Sequence, residues 1–322
     1  MSDLNQERRN AWCIVVADDH GPEYVPSLGG AAKTVPVQYC AFGEPTTLLE
    51  KALQRAKRIV PTAQIVVTVR EENRERWEPA LWYIRPERRF VSDTPVTASL
   101  TTLAAVLSIA ADSMSNVVTI LPARCFVADE WALCASLNEL QTSLPGIREG
   151  VGTLGMIDID DAIDEDYLVP GETILGPGSS IQALARRPAA WVAQHLRQHG
   201  AMVASGILSG YAAAFARHTS KYWPEHLNTL KKVMRIAPGG EKRLSANGCW
   251  GAPRSALRSL RWWPPTLPQR AFRVHRCGWR GMRTARAVAR VSASCPPTIC
   301  SVPRFSVTRE FPPRYDFDFA HP

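Results

Sequence analysis

The sequence predicts a doubly wound α/β fold, and two observations carry that prediction. Apolar, β-branched runs recur as Ile14-Val15-Val16, Ile65-Val66-Val67-Thr68-Val69 and Val117-Val118-Thr119-Ile120-Leu121, each bounded by polar or turn residues. Continuous rather than alternating hydrophobicity is the mark of parallel strands buried on both faces. Helical patterns follow the runs, at Thr47 to Ile59, Thr101 to Ala111 and Asp129 to Leu140. Strand and helix taking turns along the chain build a parallel sheet between two helical layers.

The first strand, Trp12 to Ala17, ends in the turn Asp18-Asp19-His20-Gly21-Pro22-Glu23. Such strand-to-helix turns hold phosphate on backbone N–H groups when nothing bulky or negative intervenes. Here three carboxylates, Asp18, Asp19 and Glu23, occupy the turn. Farther on, Gly152 to Ile159 reads as a further strand, and Trp191 to His199 and Gly210 to His218 read as helices. The last residues, 291–322, hold Pro296-Pro297, Pro303 and Pro312-Pro313 without periodicity and predict an irregular tail. The organisation expected is an N-terminal extension over 1–11, one α/β domain over 12–290, and the tail.

With 45% apolar and 21% charged residues the composition is that of a globular protein. No run approaches the roughly 18 apolar residues of a membrane span, and residues 1–9 lack an apolar signal core, so a cytoplasmic protein with no membrane partner is expected. Eight cysteines are scattered without a CxxC pair, which predicts free thiols. The net charge of +8 is unevenly placed: residues 1–242 carry 24 basic and 27 acidic side chains, and residues 243–322 carry 14 and 3. Between Ala246 and Arg309 there are twelve arginines and no lysine, aspartate or glutamate. That segment would attract polyanions by counterion release, or reflects compositional drift.

The stretch from Trp12 to Ala56, with Val35-Pro36-Val37-Gln38-Tyr39-Cys40 and then Thr47-Leu48-Leu49-Glu50-Lys51-Ala52-Leu53, resembles the start of sugar-1-phosphate nucleotidyltransferases, above all the mannose-1-phosphate guanylyltransferase branch. Further pieces in the same order are Ile65-Val66-Val67-Thr68 with Glu72-Asn73-Arg74, Leu121-Pro122-Ala123, Thr153-Leu154-Gly155, and Cys277-Gly278-Trp279 through Thr284 to Arg290. The resemblance implies a Rossmann-like, three-layer nucleotidyltransferase fold with a mainly parallel mixed sheet. It also implies transfer of a nucleotidyl group from a nucleoside triphosphate to a hexose 1-phosphate with magnesium.

The chemical residues of that family are largely replaced. Glu23 stands where the resemblance places an arginine, reversing a Coulomb contribution of about 1 to 4 kcal/mol per phosphate contact. The Pro-Lys-Gln-Phe element reads Pro36-Val37-Gln38-Tyr39, so Val37 replaces the lysine and Lys33 is the substitute nearest in sequence. Arg124 takes the place of a metal-binding aspartate in Pro122-Ala123-Arg124-Cys125, and Gly281 that of a second. Magnesium needs hard oxygen ligands, and neither expected carboxylate is present. Arg-Gly-Thr-Ala reads Pro95-Val96-Thr97-Ala98, Glu-Lys-Pro reads Arg186-Arg187-Pro188, and Leu-Trp-Asn-Ser-Gly reads Met202-Val203-Ala204-Ser205-Gly206. The residues assigned to residual nucleotide contact are Gly21, Lys33, Gln38 and Thr97, and no catalytic residue or metal ligand is assigned.

Rival motifs are weaker. Gly29-Gly30-Ala31-Ala32-Lys33-Thr34 lacks the glycine spacing of a P-loop. His195 and His199 share a helix face without a third ligand and read as surface histidines. The carboxylates at 158, 160, 161 and 164–166 read as a solvated loop. The expectation is therefore a nucleotidyltransferase-family protein with absent or very weak catalysis. The alternatives are a regulatory, partner-binding role on the same fold, or nucleic-acid binding through the arginine-rich segment.

Overall fold

The computed structural model describes residues 10–18, 35–42, 44–93, 98–127, 129–156, 165–173, 178–222, 224, 227, 230 and 240–244, with 23–24, 269–273 and 282–284 described as backbone. Its strands are β1 (Ala11–Val16), β2 (Glu23–Tyr24), β3 (Val35–Pro36), β4 (Ile65–Arg70), β5 (Arg89–Ser92), β6 (Val117–Pro122), β7 (Cys125–Val127), β8 (Val151–Met156), β9 (Tyr167–Thr173), β10 (Gly178–Ala185), β11 (Met202–Tyr211), β12 (Lys242–Leu244), β13 (Gln269–Arg273) and β14 (Met282–Thr284). Its helices are α1 (Leu48–Ile59), α2 (Arg74–Trp77), α3 (Ala98–Asp112), α4 (Glu130–Ser143), α5 (Ala190–Gln198) and α6 (Ala212–Tyr222). None of them is long and apolar enough to cross a membrane.

Ten strands form one open sheet in the order β12-β5-β4-β1-β6-β11-β8-β13-β10-β9. The half from β12 to β6 is parallel throughout. Antiparallel β11 joins it to the second half, where β13 runs parallel to β8 while β9 and β10 form an antiparallel hairpin. The three expected runs became β1, β4 and β6, adjacent at the inner end of the parallel half in the order β4-β1-β6.

Alternate residues of β1 serve opposite layers, as a pleated strand requires. Cys13 and Val15 pack in one core with Leu49, Ala52 and Leu53 of α1 and Leu133 and Leu137 of α4. Trp12 and Ile14 pack in the other with Leu103 and Val106 of α3 and Phe215 of α6. Helix α3 is apolar nearly all round because it lies between the sheet and α6.

Two helices begin where cap chemistry places them. The Glu50 amide donates to Thr47 Oγ1 at 3.2 Å, and Thr47 N donates to Glu50 Oε2 at 2.7 Å, a capping box. Asp129 Oδ1 accepts from Ala132 N at 2.9 Å and caps α4. Thr47→Ala is expected to lower stability by about 1 kcal/mol, read as a shift of the urea midpoint at unchanged slope.

Strand β12 is fastened to the sheet edge by charge. Glu241, just before it, accepts from Arg74 Nη2 at 2.7 Å and Arg89 Nη1 at 3.5 Å, while Arg74 also grips Glu71 at 2.9 Å. Hydrogen bonds from Arg74 hold both Glu71 and Glu241 below the usual carboxylate range. A depressed folded-state pKa gives stability that is present above the unfolded pKa and disappears as pH falls through the folded one. The melting-temperature difference between wild type and Glu241→Gln should therefore be present at pH 7 and close below about pH 4; thermal melts across that range check it.

Candidate functional site

The carboxyl ends of β1, β4 and β6 meet at one rim. Ala17 N donates to Thr68 O at 2.9 Å, and Ala123 N donates to Val16 O at 2.8 Å, so the turn after β1 and Arg124 after β6 start side by side. Ligands of open α/β sheets bind outside such carboxyl ends.

Asp18 does not face this rim as an anion. It is fully buried, and its carboxylate accepts from Thr68 Oγ1 at 2.6 Å and Ser92 Oγ at 3.3 Å, hydroxyls of the neighbouring strands β4 and β5. Buried Arg70 donates Nε to the Asp18 carbonyl at 2.9 Å. The expectation of a turn carrying three cleft carboxylates is thus corrected at Asp18, whose charge is absorbed by the fold. Gln38 and Tyr39 buttress the same place: Gln38 Nε2 and Tyr39 Oη donate to Ala17 O at 2.9 and 3.3 Å. Burial, and then the Asp18 charge, push the Tyr39 phenol up. Val37 is buried in a small apolar cluster with Leu48, against which Phe42 and Phe126 pack.

The opposite side of the rim carries cations. Arg124 follows β6, and Arg186 and Arg187 follow β10. All three charges act on Asp166, which precedes β9 and whose Oδ1 accepts from the Arg187 amide at 3.1 Å. Burial pushes the Asp166 carboxyl up, and the amide and the three guanidinium groups pull it down. Arg187 has φ 40°, the left-handed region, directly before Pro188, where that region is disfavoured. A non-glycine residue held there by a tie to a charged group is the kind of local strain that clusters at ligand sites. The expected solvated acidic loop is corrected at Asp166, which is half-buried and engaged; residues 158–164 lie outside the described residues.

Of the other residues singled out from sequence, Glu23 is described as backbone, in a two-residue ribbon where it pairs with Pro36 beside Gln38. Gly21, Lys33, Thr97 and Gly281, with the Gly29 to Thr34 motif, lie outside the described residues. The strand that follows Gly281, β14, pairs with β7, Met282 opposite Val127 and Thr284 opposite Cys125, directly after Arg124. His195 and His199 are exposed, with ring centroids 4.1 Å apart. Cys13, Cys40, Cys125 and Cys134 are free thiols.

The magnesium that the resemblance implies does not fit the donors described. One carboxylate, Asp166, lies among three guanidinium groups, a field that repels a dication, and among the described residues no group of three His, Cys, Asp or Glu is placed to hold a metal. Matches to the family occur instead where the backbone needs them. Gly206 has φ 75° at the irregularity of β11 between Ala204 and Leu208, where Ser205 Oγ bonds Leu154 O and Ile207 N. A Cβ on Gly155 would meet Met202 Cβ at 2.8 Å.

This open three-layer sheet, with its rim of carboxyl ends, is the nucleotidyltransferase-like fold that the resemblance implied. Among solved structures, the chain is similar to a protein described as mannose-1-phosphate geranyltransferase from Thermus thermophilus, at 20% identity over 83% of this chain and 74% of that one, with a TM-score of 0.61. It is also similar to one described as mannose-6-phosphate isomerase from Helicobacter pylori, at 12% identity over 83% and 98%, again with a TM-score of 0.61. No family model matches the sequence, and no curated protein matches it.

Proposed function

We propose that this chain binds a phosphorylated sugar or nucleotide at the carboxyl ends of β1, β4 and β6, using guanidinium groups in place of a metal. Nucleotidyl transfer from a nucleoside triphosphate to a hexose 1-phosphate is absent or very weak. The carrying observation is that Asp166, tied to the Arg187 amide, feels the charges of Arg124, Arg186 and Arg187 together. Guanidinium forks match phosphate oxygens in pairs, and three of them against one carboxylate leave a net positive field. They supply binding charge but not the bridging geometry by which a metal orients attacking and leaving oxygens. Gln38, and by resemblance Gly21, Lys33 and Thr97, belong to the nucleotide side of the same rim.

Calorimetry with guanosine triphosphate and with mannose 1-phosphate, each with and without magnesium, tests the reading. Binding of at least one of them, no tighter with magnesium than without, is expected, and Arg124→Ala should weaken it at least about tenfold. Metal-dependent turnover at an ordinary enzymatic rate would overturn the weak-catalysis half. Absent binding of both ligands would overturn the phosphate-site half and favour a partner-binding role.

A further inference from the structure

A second pocket, of about 420 Å³, opens in the helical layer between α1 and α4, walled by Phe126 and Val127 of β7. That volume lies in the range of roughly 300 to 1,000 Å³ usual for small-molecule sites. Its floor is a line of cations on one face of α1: Lys51, Arg55 and Arg58, spaced four and three residues apart as helical neighbours are.

These cations are differently committed. Arg55 is 1% exposed and grips Glu130 through two bonds, Nε to Oε2 at 2.9 Å and Nη2 to Oε1 at 2.6 Å. It is part of the wall. Arg58 is half exposed, reaches Glu130 only at 3.9 Å, and faces the ring of exposed Trp131 at 6.0 Å. Lys51 is largely enclosed, lies 5.1 Å from the Phe126 ring centre, and forms an ion pair with Glu44, whose side chain is 44% exposed. An incoming anion meets Arg58 directly and reaches Lys51 by displacing the half-exposed Glu44 carboxylate.

We infer that this pocket is a second binding site, separate from the Arg124 rim, for a small molecule carrying one phosphate and a flat apolar group. The phosphate lies between Lys51 and Arg58, and the apolar group lies against Phe126 and Val127. Cations flanked by aromatic rings favour such a ligand over a bare ion, since the ring is buried while the charge is paired.

Phenyl phosphate is the probe, titrated into the full chain by calorimetry and by tryptophan fluorescence. Saturable binding is expected, stronger than for inorganic phosphate. Lys51→Gln and Arg58→Gln should each weaken the fluorescence-detected component about tenfold, Glu44→Gln should strengthen it, and Arg187→Gln, which weakens only the rim's own phosphate binding, should leave that component unchanged. Trp131→Phe should remove most of the fluorescence change while keeping the calorimetric signal. Thermal melts establish that each variant is folded. The inference is overturned by absent saturation, by equal affinity for inorganic phosphate, by insensitivity to both cation variants, or by loss of the fluorescence-detected component in Arg187→Gln, which would place the probe at the rim instead.

Discussion

Asp18→Ala is expected to lower stability by about 2 to 5 kcal/mol, the cost of leaving two buried hydroxyls without their shared acceptor at about 1 to 3 kcal/mol each. The side chain is inaccessible to water and ties three strands together: its own turn after β1, Thr68 of β4 and Ser92 of β5. Without it, two hydroxyls lose their acceptor in the interior, while Arg70, 2% exposed, keeps its bond to the residue 18 carbonyl. Asp18→Asn keeps the volume and one acceptor and should fall between alanine and wild type. Urea unfolding followed by tryptophan fluorescence measures all three. A loss below about 1 kcal/mol for alanine, the scale of an ordinary surface change, would mean that the carboxylate faces solvent after all. Phosphate binding at the rim should not improve in Asp18→Ala, because a buried carboxylate held by two hydroxyls does not face the incoming phosphate.

The parallel half of the sheet was legible in the sequence because its strands are buried on both faces. Nothing but apolar and β-branched residues fits Ile14-Val15-Val16 or Val66-Val67-Thr68-Val69 between two helical layers. Helix starts were legible at Thr47 and Asp129, where side-chain oxygen meets orphan amides. The antiparallel half was legible only at β8, Val151–Met156, overlapping the expected Gly152 to Ile159. Met202–Tyr211 holds Ser205-Gly206 at a bulge and Ser209-Gly210 near its end, residues of low strand propensity, so the following helix was expected from Gly210 although it starts at Ala212. Strands β9 and β10 carry Pro170, Gly171, Gly178 and Ser179-Ser180 and pair with register shifts, so neither reads as a continuous β-branched run. The charge pattern of the site misled for a different reason. Sequence shows which charges are neighbours along the chain, and Asp18 reads as one of three anions until Thr68 and Ser92 are seen to enclose it. Arg124, Asp166 and Arg187 are remote in sequence, and only the meeting of β6, β9 and β10 ends makes them a cluster. That Arg124 stands where the resemblance places a carboxylate was visible; that its charge acts on Asp166 together with those of Arg186 and Arg187 was not.

Asp166→Asn is expected to tighten phosphate binding at the rim, the opposite of what removing a binding residue does. In its ionised form the Asp166 carboxylate offsets one of three guanidinium charges. Neutralising it leaves the cluster more positive by one charge. At surface-like dielectric one charge at a few ångströms is worth about 1 to 4 kcal/mol, and screening at exposed Arg186 and Arg187 favours the lower end, hence about a fivefold to tenfold gain. Wild type should approach the same affinity as pH falls toward the raised Asp166 pKa, but the phosphate monoester itself takes up a proton near pH 6. The comparison is therefore made at fixed pH 7.5 in low salt, by calorimetry with mannose 1-phosphate. Raising the salt should shrink the difference, since the effect is Coulombic. Asparagine keeps the acceptor for the Arg187 amide, so the strained backbone at Arg187 stays supported and the substitution reads charge alone. Weaker binding in Asp166→Asn would instead make Asp166 a direct ligand or a metal donor, and the guanidinium reading of the rim would fall with it.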